Sequence, residues 1–294
     1  MLLKNNKILK LSLFINLVKY RLSLAVAFSA ATGYFLNRNE TAPGLFFLFS
    51  GTFLLAAGSS VLNQVTEHEQ DAIMPRTRNR PVAAKKITVR SAKIISFLLL
   101  FSGGSLLLLD GLIPFALGCL GVIMYNLIYT PMKKITVLAI IPGAFVGAIP
   151  PLIGYTSAGT ADLNNKILFF STFMFLWQIP HFWLLMITYG KEYQAAGFRT
   201  ISDYLTEKQI RFLVFFWILI SAGALLFFSL LTDMFGKTVS TILAVLNIIF
   251  ILSFLKSLFA SKESPQVKSA FIIFNAYSLL VMILLIADSF LSVF

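Results

Sequence analysis

Charged side chains are scarce in this chain. Lys, Arg, Asp and Glu make up 12% of its 294 residues, whereas about a quarter is usual for a soluble globular domain. Hydrophobic residues make up 58% and include 30 Phe. So few polar groups cannot cover the outside of a water-soluble domain, and the apolar residues occur in runs long enough to cross a bilayer. The composition therefore excludes a soluble protein and predicts an integral membrane protein.

Cysteine and acidic residues are also rare. The single Cys119 lies in an apolar run, so the chain has neither a disulfide framework nor a CxxC metal site, and we interpret Cys119 as a packing residue. The 24 basic residues outnumber the 12 acidic ones, which gives a net charge of +12. In a soluble protein this excess would suggest binding to nucleic acid, but in a membrane protein it indicates orientation.

Nine apolar stretches of about 20 residues each are bounded by polar or turn residues. They lie at residues 18–37, 43–65, 93–110, 112–129, 137–156, 166–187, 210–231, 238–256 and 269–290. None alternates between apolar and polar residues as the strands of a membrane barrel do. The sequence predicts an all-α membrane protein, a bundle of nine transmembrane helices that forms a single domain over residues 1–294.

The basic residues divide unevenly between the two sides of such a bundle. With the N-terminus inside, all of the 24 Lys and Arg except Arg38, Lys166 and Lys237 fall on the inner side. The positive-inside rule then predicts a cytoplasmic N-terminus and, after nine spans, a C-terminus outside. The basic N-terminal lead has no small-residue cleavage site and no transit-like Arg/Ser-rich character. We therefore expect it to be retained, in a multi-pass protein of the bacterial inner membrane.

Two of the inner loops are long. Residues 66–92 and 188–209 connect spans by about 25 residues each, while the outer connections are short. Long loops in compact proteins tend to carry function. We therefore predict that these two loops form a polar cap over an active site.

The acidic residues at the inner end of the second span have helical spacing. Asn63, Glu67 and Asp71 follow one another at intervals of four and so share one face of a helix. Two carboxylates at the membrane boundary are costly unless a cation neutralises them. Oxygen ligands completed by substrate phosphate are the usual way in which proteins hold Mg²⁺. The alternative interpretation is a solvated helix end.

Arginine dominates the segment that follows. Arg76, Arg78 and Arg80 lie between Pro75 and Pro81, and guanidinium groups suit the paired binding of phosphate oxygens. They can equally be positive-inside residues that face anionic lipid headgroups. The neighbouring carboxylates favour a metal–diphosphate site. Further acids and bases occur in the other inner segments, at Lys133, Lys134, Lys191, Glu192, Arg199 and Asp203.

The sixth predicted span contains Trp177, Gln178, Pro180 and His181 near its middle. Polar groups at this depth normally face a cavity or the bundle interior. For His181, a packing role and a contact with substrate both remain open. The fifth span is rich in Gly and Pro, between Pro142 and Pro151, which indicates a broken or a closely packed helix.

These motifs resemble, in order, those of the intramembrane UbiA-type prenyltransferases, in the form found in the haem-farnesylating subfamily. The first motif contains Asn63, Glu67, Asp71, Met74, Arg76, Thr77, Arg80 and Pro81, and the later matching segments are residues 129–133, 141–144, 148–154, 177–182 and 192–197. The family usually has Asp at the positions of Glu67 and Glu192. Its second motif also ends differently from the stretch Arg199 to Asp203.

The resemblance implies a nine-span fold and a mechanism. Mg²⁺ would be held by Asn63, Glu67, Asp71 and Glu192, the four residues implied to be catalytic. Diphosphate would be bound by Arg76, Arg80, Lys133 and Lys191, and the haem acceptor by Tyr129, Trp177, Gln178 and His181. The implied reaction transfers a farnesyl group from farnesyl diphosphate to the 2-vinyl group of haem B, with addition of water, and gives haem O for haem–copper oxidases. A haem A synthase or an oxidase assembly factor is the implied partner.

Two alternatives differ from this expectation. One is a UbiA-type prenyltransferase with another acceptor, such as a quinone-ring precursor. The other is a small-molecule transporter, which predicts ionisable residues deep in several spans. The acidic residues instead cluster at the inner rim or lie near the outer side, so the sequence favours an enzyme.

Overall fold

The computed structural model describes residues 11–37, 44–159, 162–231, 234–259 and 264–291, and within them it is helical without strands. The helices are α1 (Leu11–Leu17), α2 (Tyr20–Asn37), α3 (Gly44–Thr66), α4 (His68–Ile73), α5 (Val89–Asp110), α6 (Leu112–Ile123), α7 (Thr130–Ile135), α8 (Ile140–Ser157), α9 (Asn165–Ala195), α10 (Glu207–Leu231), α11 (Lys237–Phe259) and α12 (Ser264–Leu291). The predicted all-α class is confirmed. Most of the predicted N-terminal lead, residues 1–10, lies outside the described residues.

Eight helices of the described segments are long and apolar enough to cross a membrane. The pair α1 and α2, bent by 54° at the break between them, adds a ninth when it is counted as one span, which agrees with the predicted number. One of the eight spans, Leu112–Ile135, combines α6 and α7 through a π-helical turn at Met124–Tyr129. Large apolar side chains such as Phe97, Phe101 and Leu109 are exposed on the outside, as lipid-facing residues are.

The sixth span is longer than its apolar run. Helix α9 continues to Ala195, past the predicted end at residue 187. Polar residues with high helix propensity, including Lys191, Glu192 and Gln194, extend the helix beyond the hydrophobic segment. Lys191 and Glu192 therefore lie on the last turns of α9, and the connection to α10 begins only after Ala195.

Helix α8 is closely packed against α2 and is not broken, although Pro150 and Pro151 lie inside it. A Cβ at Gly154 would lie 1.7 Å from the carbonyl oxygen of Ala30, and a Cβ at Gly33 would lie 2.0 Å from that of Pro151. These contacts leave no room for any side chain. Of the two predicted explanations for this Gly- and Pro-rich span, close packing through small residues is the one observed.

Aromatic side chains form the core of the C-terminal half. Trp177 of α9 stacks on Phe274 of α12 with ring centroids 3.7 Å apart, and Phe250 of α11 stacks on Tyr277 at 4.1 Å. Near the C-terminal end of α12, the buried Asp288 accepts a hydrogen bond at 2.8 Å from the amide of Gly236, the residue that precedes α11. These contacts fix α9, α11 and α12 to one another, so that the C-terminal end of α9 is held in a fixed place.

Candidate active site

Asn63, Glu67 and Asp71 form one buried row that begins near the C-terminal end of α3 and continues into α4. The Glu67 amide donates to the carbonyl of Asn63 at 3.0 Å, and the Asp71 amide donates to that of Glu67 at 2.8 Å. The helical repeat therefore continues across the junction from α3 to α4, and the shared face predicted from the spacing is observed. The three residues are 2%, 3% and 1% exposed. They are not a solvated helix end.

Two cations from different segments pair with this row. Lys133 of α7 places its Nζ 2.6 Å from Glu67 Oε1. Arg80 Nη1 donates to both carboxylate oxygens of Asp71, at 2.7 and 2.8 Å. A buried carboxylate without a partner would be strongly destabilising. The pairs account for how two adjacent acids remain buried, and they show that residues implied to bind diphosphate lie directly beside residues implied to bind metal.

Asn63 is held on both sides of its amide. Its Nδ2 donates to Thr130 Oγ1 at 3.3 Å, and its Oδ1 accepts from Lys19 Nζ at 3.1 Å. The Thr130 hydroxyl in turn donates to the carbonyl of Tyr125 at 2.8 Å. Sequence reasoning counted Lys19 only as a positive-inside residue and did not single out Thr130 or Tyr125. Their proximity to Asn63 depends on contacts between distant parts of the chain.

Aromatic rings line the same region. The π-helical turn places Tyr125 and Tyr129 in a stack with centroids 5.7 Å apart, and Tyr129 lies 5.6 Å from Phe182 of α9. Lys133 Nζ lies 5.1 Å from the centre of the Tyr129 ring, within cation–π range. Short π-helical turns are frequent at functional sites because they displace side chains from the helical repeat. The turn thus joins the cation of the Glu67 pair to an aromatic surface.

The two predicted cap segments meet at Arg76. Its amide donates to Glu192 Oε2 at 3.1 Å, and its Nη2 donates to the Tyr193 hydroxyl at 2.8 Å. The guanidinium also lies 4.9 Å from the centre of the Tyr189 ring. Beneath these polar contacts, the apolar cluster of Met74, Ala196 and Phe198 packs against Tyr193. The segment after α4 and the C-terminal end of α9 therefore pack against each other.

The stretch after Arg199 is organised by Asp203. Its carboxylate accepts from the Thr200 amide at 2.8 Å and from Gln194 Nε2 at 2.6 Å. The hydrogen bond from the Thr200 amide is the main reason that the pKa of Asp203 is lowered, and Gln194 adds to it. This arrangement is a capping box on the short 3₁₀ helix Ile201–Asp203. Asp203 thus stabilises the turn that leads from α9 to α10.

The residues implied to bind the acceptor occupy different surroundings. Tyr129 lies beside Lys133, as described above. Trp177 is 3% exposed within the aromatic core. The Gln178 side chain packs directly against Gly147 of α8, in the space that a Cβ on Gly147 would need. The His181 ring lies 4.9 Å from that of Phe271 on α12. Lys191, implied to bind diphosphate, is exposed at the end of α9.

The donor set suits a hard cation. Among the described residues, no three Asp, Glu, His or Cys side chains lie close enough together to hold a metal ion by themselves. Mg²⁺ is usually bound by one or two carboxylates together with substrate phosphate, rather than by a complete protein cage. Glu67 supplies a buried carboxylate that is paired with Lys133, and the Asn63 and Asp71 side chains also supply oxygen donors. The residues therefore fit a Mg²⁺ ion that arrives with a phosphorylated ligand.

A helical membrane bundle with a buried, ion-paired acidic row beside a basic and aromatic surface has the architecture of an intramembrane prenyltransferase. Residues 26–280 match the model of the UbiA prenyltransferase family, and the chain belongs to this family. The resemblance seen in the sequence motifs is thereby confirmed. The chain is a membrane-embedded prenyltransferase.

Relatives and solved structures agree with this assignment. The protoheme IX farnesyltransferase of Oleidesulfovibrio alaskensis is 38% identical over 183 residues, which are 62% of this chain and 65% of that protein, just under two thirds of its length. The protoheme IX farnesyltransferase of Flavobacterium johnsoniae is 30% identical over 287 residues, 95% of this chain and 94% of that protein. A UbiA homologue from Archaeoglobus fulgidus, solved with GPP and Mg²⁺, has a TM-score of 0.74 over 95% of this chain and 98% of its own. At 14% identity this likeness establishes the fold.

Proposed function

We propose that the protein transfers the farnesyl group of farnesyl diphosphate to the 2-vinyl group of haem B and, with addition of water, forms haem O for haem–copper oxidases. The observation that carries the proposal is the pair of contacts Asp71–Arg80 and Glu67–Lys133, which joins oxygen donors and cations in one buried cluster. Two relatives named protoheme IX farnesyltransferase support this acceptor.

The diphosphate is the part of the substrate that this cluster recognises. Arg80 and Lys133 lie at the acidic row, and Arg76 and Lys191 lie on the adjoining cap segments. Mg²⁺ held by Asn63, Glu67, Asp71 and Glu192 would, when bound, offset the negative charge of the leaving group. Arginine and lysine donors stabilise the charge that develops on the diphosphate oxygens as the C–O bond breaks. Because Arg80 and Lys133 already pair with carboxylates and Arg76 with a phenol, these three cations are held near the positions that they occupy during the reaction.

The carbon chemistry follows from the departure of the diphosphate. The diphosphate takes the electron pair of the C–O bond, and an allylic farnesyl cation remains. The π electrons of the haem vinyl group form the new C–C bond, water adds to the resulting cation, and one proton is lost. Aromatic faces stabilise cations, and Tyr125, Tyr129 and Phe182 supply such faces, with the Tyr129 ring beside Lys133. Tyr129, Trp177, Gln178 and His181 remain the residues that we assign to the acceptor.

The membrane has a physical role in this scheme. A C15 tail is already dissolved in lipid, so its transfer into the bundle gains little hydrophobic free energy, and recognition must come from the charged head. We place the N-terminus and the acidic row on the cytoplasmic side of a bacterial inner membrane, with the C-terminus outside. The segments 66–92 and 188–209 would form the cap, and a haem A synthase or an oxidase assembly factor would receive the product.

The reaction can be tested directly. The purified protein is incubated with haem B, farnesyl diphosphate and Mg²⁺, and the products are analysed by mass spectrometry. We expect haem O from the wild type, none after chelation of Mg²⁺, and a loss of at least about 100-fold for Asp71→Ala, which removes a group that acts in the transition state. An Asp71→Ala variant with full activity would overturn the metal assignment.

Acceptor choice requires a second assay. A quinone-ring precursor replaces haem B under the same conditions, and the wild type should not farnesylate it. Prenylation of the quinone precursor without formation of haem O would instead identify a UbiA-type enzyme with another acceptor. For the comparison of Asp71→Ala with wild type, Arg78→Ala is a suitable control, because Arg78 is exposed and belongs to the arginine-rich segment that contains Arg80.

A further inference from the structure

Lys19 lies at the break between α1 and α2 in an unusual backbone conformation. Its φ is +45°, in the left-handed region that side chains other than glycine rarely adopt. A residue held there usually reflects a functional or structural demand on the surrounding fold.

The conformation is fixed by α3. Gln64 is fully buried, and its Nε2 donates to the carbonyls of Asn16 at 3.2 Å and Leu17 at 2.9 Å. These carbonyls belong to the end of α1, where the helical ladder stops and acceptors need partners from elsewhere; the Asn16 carbonyl also accepts from the Lys19 amide at 3.4 Å. On the other side of the break, Ser23 Oγ donates to the carbonyl of Val18 at 2.8 Å. The chain is therefore held at both ends of the break.

The break directs the Lys19 side chain to the active site. Its Nζ donates to Oδ1 of Asn63 at 3.1 Å, the residue next to Gln64 on α3. The other end of the Asn63 amide is held by Thr130. Since an ammonium group only donates hydrogen bonds and a hydroxyl can accept them, these two partners fix which end of the amide carries the oxygen.

We propose that Lys19 is a positioning residue for Asn63: the left-handed break brings its ammonium group to Oδ1 and thereby sets the orientation of the amide in the buried row with Glu67 and Asp71. This inference rests on the proposed function, because it concerns the metal–diphosphate site. As a positive-inside residue, Lys19 would need only its charge. The proposed role also requires its contact with Asn63.

Three substitutions test the role of the side chain. Lys19→Met removes the donor and should lower kcat/KM for farnesyl diphosphate on the order of 10- to 100-fold, the value of a charge-assisted hydrogen bond. Lys19→Gly also removes the donor but relieves the left-handed conformation, so it should keep the wild-type melting temperature and still lose activity. Lys19→Arg keeps a cationic donor and should recover much of the loss. The matched control is Arg21→Met, at an exposed basic residue two positions away, which should stay within about twofold of wild type.

A double-mutant cycle separates positioning from a general effect. If Lys19 acts through Asn63, Lys19→Met should change kcat/KM by less than about twofold in an Asn63→Ala background. Multiplicative losses in the double variant, or full activity of Lys19→Gly, would overturn the inference. Binding of inorganic diphosphate with Mg²⁺ is measured in parallel, and it should weaken in the Lys19→Met variant. A wild type that binds diphosphate but makes no haem O would refute the proposed acceptor and leave this test of Lys19 intact.

Discussion

Arg80 holds Asp71 through a single nitrogen: Nη1 lies 2.7 Å from one carboxylate oxygen and 2.8 Å from the other. The Asp71 side chain is 1% exposed, while that of Arg80 is 23% exposed. The acid is therefore fixed in the bundle, and the base reaches it from the surface. This geometry leaves the remaining guanidinium nitrogens of Arg80 for other acceptors.

Arg80→Ala should destabilise the protein more than its partial exposure suggests. The substitution leaves a buried carboxylate without its cation, at a cost of about 3 kcal/mol. The melting temperature in detergent should fall, and the double variant Arg80→Ala with Asp71→Ala should recover part of the loss because the buried charge is gone. Arg78→Ala serves as the control and should change the free energy of unfolding by less than about 0.5 kcal/mol.

Tyr193→Phe tests the junction of the two cap segments. It keeps the ring but removes the hydroxyl that accepts from Arg76 at 2.8 Å. A net hydrogen bond contributes about 1 kcal/mol, so kcat/KM should fall about fivefold. Hydrogen exchange at residues 75–88 and 190–200 should become faster. Tyr204→Phe, at a tyrosine that is 69% exposed, should change neither kcat/KM nor the rate of hydrogen exchange. If both substitutions lowered kcat/KM equally, a role for the junction would be refuted.

Gly154→Ala tests the contact between α2 and α8. Its Cβ would lie 1.7 Å from a backbone oxygen, so the helices must separate, at a cost of about 3 kcal/mol. The thermal unfolding midpoint should drop markedly. Gly223→Ala in α10 is the control, because a Cβ there meets nothing within 4 Å. It should be neutral or stabilise the protein by up to about 1 kcal/mol through helix propensity.

The turn at Asp203 should make a small contribution to stability that depends on pH. The folded-state pKa is lowered, chiefly by the Thr200 amide, so the contribution is present above the unfolded value of about 4 and is lost as the pH falls through the folded pKa. Asp203→Asn should cost about 0.5 kcal/mol between pH 5 and 8, and the difference from wild type should shrink below about pH 4. Melting temperatures of the wild type and of Asp203→Asn, measured from below pH 4 to pH 8, test this prediction.

The length of the apolar runs was enough to predict the fold class, because a chain in lipid must satisfy its backbone hydrogen bonds within each helix. The ends of the helices were less predictable. Helix α9 extends to Ala195 because helix propensity and packing continue where hydrophobicity stops. The interval of four residues between Asn63, Glu67 and Asp71 likewise predicted their shared face, since the helical repeat is a local property.

The sequence by itself therefore determined the membrane class, the number of spans and the shared helical face of Asn63, Glu67 and Asp71, all of which follow from local periodicity and composition. Only the tertiary structure decided that Lys133 pairs with Glu67, that Arg76 joins the two cap segments and that Lys19 reaches Asn63. These contacts join residues far apart in the chain, and the packing of α2, α3, α7 and α9 selects which cation reaches each buried polar group. Because a buried charge without a partner is so costly, packing and pairing must be satisfied together.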